Sequence, residues 1–322
     1  MTHMDDSRKS DGVLPVNDEV ATRDFKYYIF DWDDNILHMP TKIYLERRTA
    51  SGEWESIAVS TSSFAILRKD TENWRLPREG GYDAAFRDFR DNPSGDDGEL
   101  AFLRDTRAAL RRVKEGEKPG PSFNTLRKTL REGRLFAVVT ARGHASSTIR
   151  EAVKIFIEEV LTDDERAEMM ANLRGYRRWL DGIENFGTDD AELDYYLSVC
   201  RYHAVTGPDF GDLLKADPEF ALRYDSAPRT RKPELAKEFA IRGFVEHLFH
   251  TLERTGGLGQ RNVSVGFSDD DAGNVSAVSE YIREELAKRF GSFKFVVYDT
   301  SDPSLTNGRK VTVAGQLNLP GF

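Results

Sequence analysis

An apolar run at residues 27–30 stops abruptly in Asp31-Trp32-Asp33-Asp34-Asn35, which predicts a buried strand whose carboxyl end carries a cluster of carboxylates. In an open α/β sheet the carboxyl ends of the strands are where ligands bind. A carboxylate pair placed there can divide labour between nucleophile and proton shuttle. Positions 31 and 33 share a face while the chain is extended, and a turn beginning at Asp33 would swing the second carboxylate around a common site. The competing reading is an Asp-rich turn that merely closes a strand, because Asp and Asn bond their own backbone in turns.

Three later segments favour the chemical reading. Leu135-Phe136-Ala137-Val138-Val139-Thr140 is an apolar, β-rich run that ends in a hydroxyl and is followed by Ala141-Arg142-Gly143-His144, so a second parallel strand with Thr140 at its tip is expected. In Thr230-Arg231-Lys232-Pro233-Glu234 the proline suits the first turn of a helix, and Lys232 sits just ahead of it, where it can point at anions. Finally, residues 263–267 form an apolar run leading into Ser268-Asp269-Asp270-Asp271, a crowd of acids that suits a hard divalent cation.

In this order the four segments resemble the motifs of the haloacid dehalogenase-like (HAD) hydrolase superfamily, with Asp31 and Asp33, Thr140, Lys232, and Asp269 and Asp270 at the matching positions. The resemblance covers roughly residues 25–40, 122–150 and 225–300. Two departures stand out. Members commonly have Gly-Thr where this chain has Asp34-Asn35, and Gly-Asp where it has Ser268-Asp269, which leaves the metal-binding acid open among Asp269, Asp270 and Asp271. The resemblance implies a doubly wound, Rossmann-like parallel sheet and phosphoryl transfer through an aspartyl-phosphate. Asp31 would be the nucleophile and Asp33 the general acid and base, while Thr140 would hold a phosphoryl oxygen and Lys232 would balance charge. It also implies Mg²⁺, bound by Asp31, by the main-chain carbonyl of Asp33 and by an acid at Asp269 or Asp270. Asp at position 33 favours phosphate over halide as the leaving chemistry, since a departing alkoxide needs an acid. Asn35 and Arg142 are the candidate substrate contacts, Arg142 because it closely follows the Thr140 strand tip, although a surface ion pair is an equal reading of it.

Composition narrows the class. The chain of 322 residues is long enough for a sizeable core with an inserted module, and its formal net charge of −9 disfavours sequence-independent nucleic-acid binding as the main role. Nucleic acid therefore remains a less favoured partner than a small phosphorylated substrate. No run of roughly 20 apolar residues appears, which excludes the membrane-spanning branch of the resembling superfamily. Cys200 is the single cysteine, so no internal disulfide can form, and a buried thiol is favoured over a nucleophile. No charged-then-apolar leader precedes the first strand, so a soluble cytoplasmic enzyme is expected.

Residues 1–22 are polar and weakly periodic and read as a disordered tail. Between the first two motifs lies too much chain for a simple crossover, so residues 41–118 read as a flap or cap insertion, with a core at 23–40 and 119–322. The insertion opens as a β-hairpin with arms at 41–47 and 54–59, placed to cover the site. Residues 80–118 then look helical, broken by a loop at 92–98. Residues 150–195 read as a second helical elaboration, and residues 195–206 as chain leading into another core strand. Two alternatives accompany the phosphohydrolase reading: a nucleotide or polynucleotide-end phosphatase, and a non-catalytic module that senses a phosphorylated ligand on the same fold.

Overall fold

The apolar run ahead of Asp31 is strand β1 (Phe25–Phe30) of a computed structural model that describes residues 14–92, 98–228, 231–258, 261–302, 304–305 and 308–314. The chain then forms β2 (Ile43–Arg48), β3 (Trp54–Val59), α1 (Thr61–Leu67), β4 (Trp74–Arg75), α2 (Gly81–Ala85), α3 (Ala101–Lys114) and α4 (Phe123–Arg131). Next come β5 (Phe136–Thr140), α5 (Ser146–Val160), α6 (Asp163–Asp181), α7 (Asp189–Val199) and β6 (Arg201–Ala204). The last part comprises α8 (Pro208–Lys215), α9 (Pro218–Ser226), α10 (Lys232–Arg254), β7 (Val263–Asp269), α11 (Ala272–Tyr281), β8 (Phe293–Asp299) and β9 (Arg309–Ala314).

Among the described residues six strands make one sheet in the order β6-β5-β1-β7-β8-β9, parallel throughout except for the antiparallel β9. Side chains on a strand alternate between faces, and both faces here are apolar. Phe30, Phe136 and Val138 pack into one cluster with Ile149, Phe156 and Leu173 of α5 and α6, while Phe25, Ile29, Ala137 and Val139 pack into another with Ala240, Phe244 and Leu248 of α10. Helices on both faces make this an α/β fold with a mostly parallel central sheet, compatible with the Rossmann-like architecture expected.

The hairpin is present: β2 and β3 pair antiparallel from Ile43↔Val59 to Arg48↔Trp54. Gly52, at φ +87, supplies the left-handed residue that its turn requires. A third strand, β4, pairs with β2, and this small sheet has its own cluster of Ile43, Leu45, Val59, Ala85 and Phe89. The insertion is smaller than the sequence suggested. Helix α3 buries Phe102, Ala109 and Leu110 in the same cluster as Phe123 and Phe156, because its apolar stripe faces α5, so it belongs to the core layer. Of the loop read at 92–98, residues 93–97 lie outside the described residues.

Residues 150–195 also extend the core, as α5, α6 and α7 on one sheet face. The strand-like chain before position 200 is helix α7 instead. Thr188 caps it, with its hydroxyl accepting from the Ala191 N–H, and acids fill its first turn, so local capping outweighs the β-branched and aromatic content. The excursion α8–α9, with a proline opening each helix, separates β6 from α10.

The tail reading does not hold for all of residues 1–22. Residues 1–13 lie outside the described residues, but Asp18–Thr22 is a 3₁₀ helix with Val20 fully buried. Asn17 donates to Asn172 at 2.9 Å and Arg178 pairs with Asp18 at 2.9 Å. Gly175 lets this segment approach α6, since a Cβ there would strike the Asn17 carbonyl oxygen. Gly175→Ala is therefore expected to lower unfolding stability by about 1–3 kcal/mol in denaturant titration, and an unchanged midpoint would show that residues 14–22 do not dock on α6.

Candidate active site

The chain fills the sheet on one side of β1 with β5 and β6, then on the other with β7 and β8, so β1 and β7 border the point where strand order reverses. The crevice at such a point is the ligand site of open α/β sheets. Asp31 is the first residue beyond β1, its N–H donating to the Ser268 carbonyl at 3.0 Å, and Asp269 is the last residue of β7. Trp32 points the other way into the core, edge-on to Phe102. Thr140 ends β5 on the far side of β1 and is buried.

The amine that joins these acids is that of Lys237. Its Nζ lies 2.6 Å from Asp269 Oδ2 and 3.2 Å from Asp31 Oδ1, and the side chain is buried. The sequence-based choice of Lys232 is corrected by this geometry. Pro233 does start α10, but Lys232 stands at its entrance with its amine 4.9 Å from the Tyr224 ring centroid. Lys237 is a turn further on, in line with the core residues Ile241, Phe244 and Leu248 at helical spacing. A lysine on the apolar stripe of a helix was the signal in the sequence.

Burial opposes the ammonium, but the carboxylates of Asp269 and Asp31 outweigh it and push the Lys237 pKa up. Asp31 is also pushed up, by burial first and then by the neighbouring charges of Asp269 and Asp33, against the pull of Lys237. Asp270 shifts in the same direction through burial and the charges of Asp31, Asp269 and Asp34. Both shifts favour the neutral acids, and the charges of the neighbouring carboxylates add to the effect of burial.

Asp34 follows Asp33 in a left-handed conformation, φ +53, where glycine is the usual residue. Hydrogen bonds replace the missing freedom: Asp34 accepts from Thr61 at 2.6 Å and pairs with His38 Nδ1 at 2.8 Å. These bonds hold the Asp34 pKa down despite burial. Thr61 opens α1, so this contact and the Arg68–Asp271 pair at 3.4 Å tie the flap to the site loops.

Asn35 is fully buried and faces inward, which corrects its reading as a substrate contact. Its amide donates to the Asp31 carbonyl at 3.0 Å, the Ser268 carbonyl at 3.2 Å and Ser268 Oγ at 3.0 Å, and its oxygen accepts from Thr300 at 3.1 Å. It clamps the ends of β1 and β7 together. Arg142 is likewise no free phosphate ligand. Its Nε lies 2.7 Å from Asp33 Oδ2 and its Nη2 2.6 Å from Asp33 Oδ1, and the residue is 1 % exposed. Neither a substrate contact nor a surface ion pair describes it; it is a buried bidentate partner of Asp33.

Among the described residues, no group of three or more His, Cys, Asp or Glu side chains is arranged to hold a metal ion. The reason lies in how the acids are used. Asp269 accepts from Lys237, from Asn274 at 3.1 Å and from the Asp271 N–H at 2.9 Å. Asp271 caps α11 through the N–H groups of Gly273 and Asn274. Asp33 is engaged by Arg142. Among the acids read as metal ligands, and among the described residues, Asp31 and Asp270 are the less engaged; burial first, and then the neighbouring acids, raises both their pKa values, and a cation would relieve the second of these. Mg²⁺ is commonly held by one or two carboxylates and keeps several waters, so the donor set fits that ion better than a closed protein cage.

Cys200 is buried, and burial pushes its thiol up to about 12, in keeping with an inert packing role. No helix among the described residues is long and apolar enough to cross a membrane. Comparison with known proteins finds no matching family model, no matching curated protein and no matching solved structure.

Lys237→Met removes the cation shared by a buried pair of acids and is expected to cost about 3–5 kcal/mol, whereas Lys232→Met should stay within about 0.5 kcal/mol. Equal effects in chemical denaturation would contradict the assignment of Lys237. His144, His203 and His247 are each held down to about 4, burial being the first cause and a neighbouring arginine the second. The folded state then binds fewer protons than the unfolded state, so this stability is present above about pH 6.5 and lost as pH falls toward 4. The ring nitrogens of His203 have no hydrogen-bond partner among the described residues, so His203→Phe should flatten the fall in thermal midpoint across that window; an unchanged slope would contradict a buried neutral ring.

Proposed function

We propose that this protein is a Mg²⁺-dependent phosphohydrolase of the haloacid dehalogenase-like type, acting on a phosphomonoester through an aspartyl-phosphate on Asp31. The observation that carries this reading is the buried amine of Lys237 shared between Asp31 and Asp269 at the strand-order reversal. A carboxylate with a fixed cation beside it can meet a phosphoryl dianion without prohibitive repulsion.

Asp31 attacks phosphorus as the bond to the alcohol oxygen breaks, and the departing oxygen takes a proton from Asp33. Asp33 then removes a proton from water, whose oxygen displaces Asp31 and releases inorganic phosphate. Lys237 orients the Asp31 carboxylate. Among the described residues the Thr140 hydroxyl oxygen accepts a long 3.4 Å bond from the Arg142 N–H, and in this reading its O–H donates to a phosphoryl oxygen. Asp31, Asp270 and the Asp33 carbonyl would hold Mg²⁺, which supplies charge neutralisation at the phosphoryl oxygens. The flap, joined to the site loops through Thr61 and Arg68, excludes bulk water.

A second reading, a module that binds a phosphorylated ligand without turning it over, is favoured by one observation. Both oxygens of Asp33 accept hydrogen bonds from Arg142, so facing a leaving group would cost Asp33 part of that bidentate pair. Phosphate release from an aryl phosphate, with and without Mg²⁺, separates the two. Mg²⁺-dependent release is expected, with Asp31→Asn slower by on the order of 10³-fold or more. A folded parent that binds phosphomonoesters but hydrolyses none of a broad panel would establish the binding module, and undiminished release by Asp31→Asn would reject Asp31 as nucleophile.

A further inference from the structure

Arg142 is fixed on every side. Its guanidinium lies between the rings of Phe89 and Phe102, 4.5 and 4.7 Å from their centroids. Beyond the two bonds to Asp33, Nη2 donates to Thr41 Oγ1 at 3.0 Å, and that hydroxyl donates to Asp105 at 2.7 Å. Nη1 lies 3.3 Å from His144 Nε2. A guanidinium has no acceptor, so Nε2 must be the acceptor and the His144 proton must sit on Nδ1. That N–H then donates to Asp91 Oδ1 at 3.0 Å. Asp91 is itself held by the Ala145 N–H at 2.6 Å and the Thr148 hydroxyl at 3.1 Å. The His144 ring stacks on Phe102 with centroids 4.5 Å apart.

Thr41, Phe89 and Asp91 come from the chain that leaves and re-enters the core around the flap, whereas Arg142 and His144 follow β5. The two are also joined through the backbone, where the Gly143 N–H donates to the Phe89 carbonyl at 2.9 Å. A Cβ on Gly143 would sit 3.3 Å from that oxygen and from Thr206 Oγ1, so the approach is close.

We propose that Asp91, His144 and Arg142 form a relay through which the flap sets the orientation of Asp33. It rests on the phosphohydrolase reading, in which Asp33 transfers protons, and makes Arg142 and His144 positioning residues that touch neither substrate nor reacting atoms. Displacement of a reacting group by about 1 Å costs on the order of 10²-fold in rate, so losing the relay acts on kcat. The relay also explains why an arginine follows Thr140 at a place where a free phosphate ligand was expected: the guanidinium is already committed.

The test is a pair of double-mutant cycles on an activated aryl phosphate, whose leaving group needs no proton, so that Asp33→Asn stays measurable. Arg142→Met is expected to lower kcat by about 10²-fold and His144→Phe, which keeps the stack on Phe102, by about 10-fold, with KM within about two-fold. In the Asp33→Asn background neither substitution should lower kcat further, because the group they position has already lost its function. Losses that multiply equally in both backgrounds would overturn the relay and leave a structural ion pair. Histidine ¹⁵N spectra at pH 7 provide a readout that does not need turnover. His144 should appear as the neutral Nδ1–H form, and its signal should move in Asp33→Asn. An Nε2–H form, or a signal indifferent to that substitution, would overturn the relay even in an active enzyme. Correct spectra from a protein that releases no phosphate would instead retain the relay and reject the phosphohydrolase reading.

Discussion

The site depends on one buried ammonium. Lys237 lies between Asp31, the residue just beyond β1, and Asp269, the last of β7, and without it two adjacent parallel strands would lead into facing buried carboxylates. Isolated buried charges are costly, and a shared cation offsets much of that cost while fixing both side chains. Asn35 completes the join from below, bonding the backbones of both strand ends in a single residue. Charge and backbone thus converge on the same few ångströms.

Two buried cations divide the acids of the site between them. Lys237 serves Asp31 and Asp269, and Arg142 serves Asp33, so the two carboxylates assigned different chemical tasks have different partners. That separation matters because equivalent carboxylates would not distinguish nucleophile from proton shuttle. Among the described residues Asp270 pairs with neither cation, and in the proposed reading it is Asp31 and Asp270 that would hold Mg²⁺. The flap adds a third element. Through Thr61 on Asp34 and Asp91 on His144 it reaches both the loop after β1 and the loop after β5.

Much of this was legible in the sequence where the signal was local. Strand β1 with Asp31 and Asp33 after it, β5 ending in Thr140, β7 running into Asp269 and the hairpin β2–β3 each declare themselves through apolar runs and the residues that stop them. Errors arose where a role depended on a distant partner. Lys232 was chosen for its place beside Pro233, but a helix points its side chains by angle, and a position five residues on faced the sheet. Arg142 and Asn35 have the chemistry of substrate ligands, and only their burial and partners show that they serve the framework. Of helix α7 only the last turn from Tyr195 resembled a strand, for its aromatic content; the helix capped at Thr188 runs through it to Val199, and the expected strand follows as β6.

The sequence by itself determined the alternating order of strands and helices, the acids at two strand ends and the hydroxyl at a third, because hydrophobic period and chain-stopping residues act over a few positions. Tertiary structure alone decided which amine meets Asp31 and Asp269, and that Arg142 holds Asp33 under flap residues. Those pairings join positions as far apart as 31 and 237 or 33 and 142. Their strength comes from burial in a low-dielectric interior, a property that no residue has until the sheet and its helices close around it.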